Sequence, residues 1–321
     1  MKFDPSKISK VIEHNYTHLI PDFFEMQTEY LASLNIIYHD LDASLVAMVL
    51  TNELYKSRIK NQKLNGNIGL KNFYDKDLYK LPVNFFKIKE ISTLLNLPRE
   101  TVRRKKEKLI NDKLILLDKK KKMYTLNTDM IQKEIINLHI YNLSKFLSIF
   151  SFYFSKIRLF IKEVSRQDIK KDVEEKFLLY FVKFLDFQIA YFAKCKSLVD
   201  IESVFIFLLC GLNTSSQIKK MEPPISSKDI YGKISTVVHQ TSGLNATSIS
   251  EITKVPRTTV LRKIANLEKL GLIKKDKFKR YTTGKFLNTD GSGTIQAIAD
   301  YNVKLLGSFF SDCLETYSKS K

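Results

Sequence analysis

The sequence has few glycines, few cysteines and no long apolar run, and each scarcity excludes a class of function. Ten glycines in 321 residues leave little for the turns that cradle nucleotide phosphates, and neither G-x-G-x-x-G nor G-x-x-x-x-G-K-[ST] occurs. Cys195, Cys210 and Cys313 make an odd count without C-x-x-C spacing, a pattern of single buried thiols in a reducing compartment. The longest apolar runs, around Phe146 to Ser155 and Ser203 to Leu212, are about half of the roughly 18–20 residues that cross a bilayer. The N-terminal MKFDPSK lacks the apolar core of a secretory signal, so a cytoplasmic chain with no membrane partner is expected.

Positive charge is abundant instead: 53 Lys+Arg against 34 Asp+Glu give a net +19, on a chain that is 44% hydrophobic. That apolar fraction suffices for a packed core. The segment 91–115 (ISTLLNLPRETVRRKKEKLINDKLI) aligns without a gap on 249–273 (ISEITKVPRTTVLRKIANLEKLGLI), an offset of 158. The same offset carries Asp42 onto Asp200, and LNTD recurs at 126–129 and 287–290. Repeats of this length point to a duplicated unit of roughly 130–150 residues. The expected organisation is a first copy at 1–161 (core about 85–127), a polar junction at 162–175 read as a linker or an exposed helix turn, and a second copy at 176–321 (core about 244–288).

Apolar spacing of three and four marks most of each copy as helical, including the aromatic stripes Phe146, Phe150, Tyr153, Phe154, Ile157 and Phe177, Tyr180, Phe181, Phe184, Ile189, Phe192. Segments 61–79 and 217–231 read as loops. Strand signal is confined to 114–117 with 123–126 and to 272–274 with 278–282. In each copy a short helix is followed by a break at Leu97-Pro98 or Val255-Pro256, a second helix with Pro at its first position, and a basic hairpin. That order predicts a helix-turn-helix with a wing, whose second helix enters a DNA major groove.

The pattern P-R-x-T-V-x-R-K followed by L-x-x-x-x-L-I, present in both copies, resembles the winged helices of MarR-like bacterial transcription regulators. The resemblance covers about 40 residues per copy and implies a mainly α fold of tandem winged helix-turn-helix units with long flanking helices. Because the family acts as dimers, it also implies a single-chain pseudo-dimer with an internal pseudo-two-fold. The family's wing carries Asp-x-Arg, whereas here Asp276 is followed by Phe278 and Asp118 by Lys120.

Residues 85–124 carry a net charge of +8 and residues 249–281 a net +7, so fifteen of the nineteen excess positive charges sit in the two motifs. Such clustering is the footprint of phosphate binding. Base-reading candidates are Arg99, Glu100, Arg103 and Arg104, with Glu107, and then Arg257, Thr258, Leu261 and Arg262. The matched pairs Arg99/Arg257, Thr101/Thr259, Arg104/Arg262 and Lys105/Lys263 are assigned to shared docking, chiefly on phosphates. Glu100 against Thr258 and Arg103 against Leu261 predict two unlike half-sites about 10 bp apart. Lys119, Lys120, Lys121 and Lys122, and Lys274, Lys275, Lys277, Lys279 and Arg280, are wing cations. Lys106 occupies the slot of buried Ile264, by a snorkelling stem or looser packing.

His14 and His18 share a helix spacing, with His39 a distant third; an ordinary surface or a metal site would both fit. The aromatic stripes are core or, by the resemblance, the lining of a small aromatic effector pocket. No Ser/His/Asp or Cys/His set has a local signature, so no enzyme and no cofactor is expected. The reading is a sequence-specific, nucleoid-associated duplex-DNA-binding transcription regulator, with RNA polymerase a possible partner. The alternatives are a plasmid- or phage-type replication initiator with tandem winged helices, and a non-enzymatic winged-helix scaffold that bridges proteins.

Overall fold

A computed structural model describes residues 3–61, 68–73, 87–118, 123–127, 133–156, 164–220, 223–227, 229, 243–284 and 292–318. The chain is mainly helical. Helices α1 (Pro5–His14), α2 (Tyr16–Tyr38), α3 (Leu41–Asn61), α4 (Leu70–Phe73), α5 (Ile88–Leu95) and α6 (Arg99–Asn111) lead to an antiparallel hairpin, β1 (Ile115–Asp118) and β2 (Met123–Leu126). Helices α7 (Lys133–Lys156), α8 (Arg166–Glu175), α9 (Phe177–Lys196), α10 (Ile201–Ile218), α11 (Ala246–Thr253) and α12 (Arg257–Lys269) lead to a second hairpin, β3 (Ile273–Lys275) and β4 (Tyr281–Thr283), and α13 (Ser292–Ser318) follows. Lys119, Lys120, Lys121, Lys122 and Ile157 lie outside the described residues.

The order of elements repeats along the chain. The pair α1–α2 corresponds to α8–α9, α3 to α10, α5–α6 to α11–α12, hairpin to hairpin and α7 to α13. The polar stretch at 162–175 is thus largely helix. From Ser165 onward it holds α8, capped by the Ser165 hydroxyl accepting from Asp168 N at 3.1 Å, as Asp4 caps α1 by accepting from Ser6 N at 2.9 Å. Only a narrow stripe of α8, Ile169 and Val173 with Asp172, is buried, so its composition alone resembles a linker. The expected loop at 61–79 likewise contains α4, whose Phe73 is buried.

The compact units do not coincide with the two copies. One unit comprises residues 1–3, 38–193 and 309–321, and the other comprises 4–37 and 194–308. The first thus combines α5–α6 and the first hairpin with the helix pair α8–α9, and the second combines α11–α12 and the second hairpin with the pair α1–α2. The split expected at 161–176 is revised accordingly, because helix pairs join the apolar surface that covers them and not their neighbours in sequence.

In the first unit, α3 is buried along Ala43 and Leu45–Leu50 and packs on α5 and α6. Its N-terminus is capped by Asp40, which accepts from Ala43 N at 2.9 Å. The aromatic stripes form core here. Phe146, Phe150 and Phe154 surround Phe310 with centroids 5.3, 3.9 and 5.8 Å away, and Phe177 meets Phe73 at 4.6 Å. A buried polar cluster ties α8 to α9 and to the end of α13. Asp172 accepts from Tyr180 Oη at 2.5 Å and pairs with Lys176 Nζ at 2.8 Å, which donates to the Thr316 carbonyl at 2.9 Å.

In the second unit, α10 is buried on most sides through Val204, Phe205, Ile206, Leu208, Leu209 and Cys210, and packs on α11, α12 and β4. Helix α2 lies close against it at Gly211, where a Cβ would stand 2.7 Å from the Phe24 ring. Asn35 of α2 donates to the Thr253 carbonyl of α11 at 2.8 Å. Burial pushes the Cys210 thiol up to about 12, so it behaves as a small apolar side chain. His14 Nδ1 lies 2.6 Å from the Lys10 carbonyl. Among the described residues, no three His, Cys, Asp or Glu side chains gather as a metal site, and no single helix is long and apolar enough to cross a membrane.

Candidate nucleic-acid interface

The two consecutive helix pairs, α5–α6 and α11–α12, are built by the same local rules. In each, the first helix ends on a left-handed residue, Asn96 (φ 50°) or Lys254 (φ 57°). An apolar residue follows and is buried, Leu97 or Val255. The turn is locked by a repeated hydrogen bond: Ser92 Oγ donates to the Leu97 carbonyl at 2.6 Å, and Ser250 Oγ to the Val255 carbonyl at 2.7 Å. Sequence reasoning passed over both serines, although they align at the common offset. Pro98 and Pro256 occupy the N-cap and not the first helical position, so Arg99 and Arg257 begin their helices.

Helices α6 and α12 each bury a narrow face, Val102 and Leu109 in one, Val260, Ile264 and Leu267 in the other. Lys106 is half-buried in the slot of Ile264. Arg99, Glu100, Arg103 and Arg104 on α6, and Arg257, Thr258, Leu261 and Arg262 on α12, are all exposed, while Thr101 and Thr259 are half-buried.

The exposed cations differ in their engagement. Arg103 donates to Glu100 at 2.6 and 2.9 Å and to Glu107 at 2.5 Å. Its hydrogen bond holds the Glu100 carboxyl below the usual range, and the two carboxylates raise the already high guanidinium value of Arg103. Arg257 Nε donates to Thr247 Oγ1 of α11 at 3.3 Å. Arg99, Arg104 and Arg262 have no hydrogen-bonded carboxylate partner among the described residues.

Lys105 and Lys263, expected on phosphates, point elsewhere. Lys105 Nζ lies 2.5 Å from Asp40 at the start of α3, and Lys263 Nζ lies 2.7 Å from Asp200 and 3.2 Å from Glu202 at the start of α10. Their side chains are only 17% and 13% exposed. Each braces its second helix against the helix capped by its partner aspartate. The equivalence of Asp42 with Asp200 is corrected by the same geometry: Asp40 and Asp200 both cap, accepting from Ala43 N and Ser203 N. Burial pushes the Asp200 carboxyl up, but the Lys263 and Ser203 hydrogen bonds outweigh it and hold it below its usual value.

In the second hairpin β3 starts one residue later than the expected 272 and β4 three residues later than the expected 278, leaving 276–280 as the tip. Asp276 organises that tip, accepting from Phe278 N at 2.8 Å, Arg280 N at 2.9 Å and Arg280 Nε at 2.8 Å. An Asp–Arg pair is thus present in this hairpin at a spacing of four residues. Lys275, Lys277 and Lys279 are exposed, and Arg280 is half-buried. Phe278, which sequence reasoning did not place in the interface, is 63% exposed at the tip. The signal that marks it is an apolar ring in a run otherwise of cations, Lys277-Phe278-Lys279-Arg280.

No protein-family model, curated protein or solved structure matches this chain.

Proposed function

We propose that the chain is a sequence-specific double-stranded DNA-binding regulator of transcription, built as two winged helix-turn-helix modules in one polypeptide. The observation that carries the reading is the repeated unit of locked turn, second helix with an exposed arginine face, and basic hairpin. Arg99, Arg104, Arg257 and Arg262 lie on the solvent side of α6 and α12, where guanidinium groups reach phosphates or guanine edges in a major groove. Charge clustered in the same two segments supports it, since phosphate contacts supply most of the affinity for duplex DNA.

The two helices offer different chemistry. Helix α6 presents an arginine already neutralised by two carboxylates, whereas α12 presents Thr258 and Leu261, suited to thymine methyl groups. The half-sites are therefore unlike, about one helical turn apart. Selection of bound duplexes from a random 30 bp library, followed by affinity at several salt concentrations, tests this. The expected result is an asymmetric motif bound one chain per duplex, about 10³-fold or more above its scramble. Equal binding to motif and scramble would leave only phosphate attraction and refute the regulator reading.

A further inference from the structure

We infer that Phe278 is an apolar wedge that the second hairpin inserts between base pairs in the minor groove. This rests on the DNA-binding reading above. Phe278 is the most exposed large apolar side chain among the described residues, at 63%. An aromatic ring left in water forgoes the burial that normally stabilises it, and this one stands on a rigid mount. Asp276 N donates to the Arg280 carbonyl at 2.8 Å and Lys279 N to the Asp276 carbonyl at 3.1 Å, with Lys279 in the left-handed region at φ 59°. The Asp276 carboxylate closes the same loop on Phe278 N and Arg280. The backbone beneath the ring is held, so its presentation costs little ordering on binding.

The surroundings of the ring define its partner. Lys277 Nζ stands 5.1 Å and Arg280 Cζ 4.9 Å from the ring centroid, and Lys275 and Lys279 are exposed nearby in sequence. A single ring flanked by cations suits an apolar slot between anionic walls. The minor groove, about 6 Å wide between two phosphate strands, is such a slot. Proteins that bend DNA there insert Phe, Leu or Ile between base steps while basic side chains hold the backbone. Between the strands of the first hairpin the sequence has only Lys119 to Lys122, with no aromatic residue among them, so the wedge belongs to one module and one half-site only.

The test uses the full chain and its selected duplex, with 2-aminopurine placed in turn at each step flanking the second half-site. The wild type and Phe278→Trp should raise fluorescence at one step, where a neighbour is unstacked. Phe278→Ala should abolish that rise and weaken binding about tenfold, within the range for base–aromatic stacking, with an unchanged melting temperature and salt slope. Lys277→Ala, by contrast, should lower the slope by about 0.9. Phe278→Ala binding within twofold of wild type, or weaker binding with no fluorescent step in the wild type, would overturn the wedge while leaving the DNA reading intact. A wild type that selects no duplex would overturn the DNA reading itself, and the wedge with it.

Discussion

Replacing Lys263 by methionine separates an internal brace from a DNA-facing cation. Its amino group touches Asp200 and Glu202, which are 42% and 38% exposed, while the lysine side chain is 13% exposed. Two unit charges 4 Å apart attract by about 4 kcal/mol at an effective dielectric of 20. Carboxylates this open to water are screened, which brings each pair nearer to 1 kcal/mol or less. Methionine retains the packed stem, and Asp200 still accepts from Ser203 N, so no charge is stranded. The expected loss is about 1–2 kcal/mol. For a unit of roughly 150 residues that lowers the melting temperature by about 2–8 °C. Thermal melting and the salt dependence of DNA affinity are measured on the same protein. Lys263→Met should lower the melting temperature and leave the salt slope unchanged, while Arg262→Ala should reverse this, with an intact melt and a slope reduced by about 0.9. A Lys263→Met protein with a normal melt and a flattened slope would refute the brace and return this lysine to the phosphates.

Other consequences follow from single positions. Lys113 (φ 57°) ends α6 where Gly271 (φ 68°) ends α12; Lys113→Gly should stabilise the chain by about 0.5–1 kcal/mol, read in denaturant unfolding, because only glycine adopts that conformation without strain. Burial lowers the His139 pKa to about 4 from its usual 6.5, so the folded state disfavours the charged ring. Its contribution to stability is complete above pH 6.5 and is lost as pH falls towards 4, amounting to roughly 3 kcal/mol, and His139→Phe should flatten unfolding free energy across that window. Asp172→Ala leaves Lys176 buried without its carboxylate and should cost about 3–5 kcal/mol; adding Lys176→Met should recover much of it, and a double variant no better than the single would count against the pairing.

The paired helices α5–α6 and α11–α12 and the hairpins after them were legible because their determinants are local: a proline, a repeated apolar spacing and a duplicated motif. Even there the proline lies one residue earlier, at the N-cap. The roles of Lys105 and Lys263 were not legible, since their partners Asp40 and Asp200 lie more than sixty positions away and a basic run gives no sign of which member turns inward. Helix α8 was hidden by its own chemistry, with only Ile169 and Val173 buried with Asp172 on an otherwise charged surface. In the second hairpin β4 starts three residues later than 278, because the Asp276 carboxylate closes 276–280 into a loop that strand propensity does not encode. The regrouping of the helix pairs depends on tertiary packing, which periodicity does not encode.

That regrouping constrains how the protein can be made. As the chain leaves the ribosome, helices α5 and α6 emerge long before residues 166–193, and the first unit also draws on residues 309–321 at the far end. The second unit must in turn wait with α1 and α2 in hand until its core is synthesised. Neither unit can close as an independent domain during translation, and contacts of such long sequence separation are slow to form. A gene cut near codon 162 would therefore yield two halves that each lack a helix pair supplied by the other, and only co-synthesis of both would restore either unit.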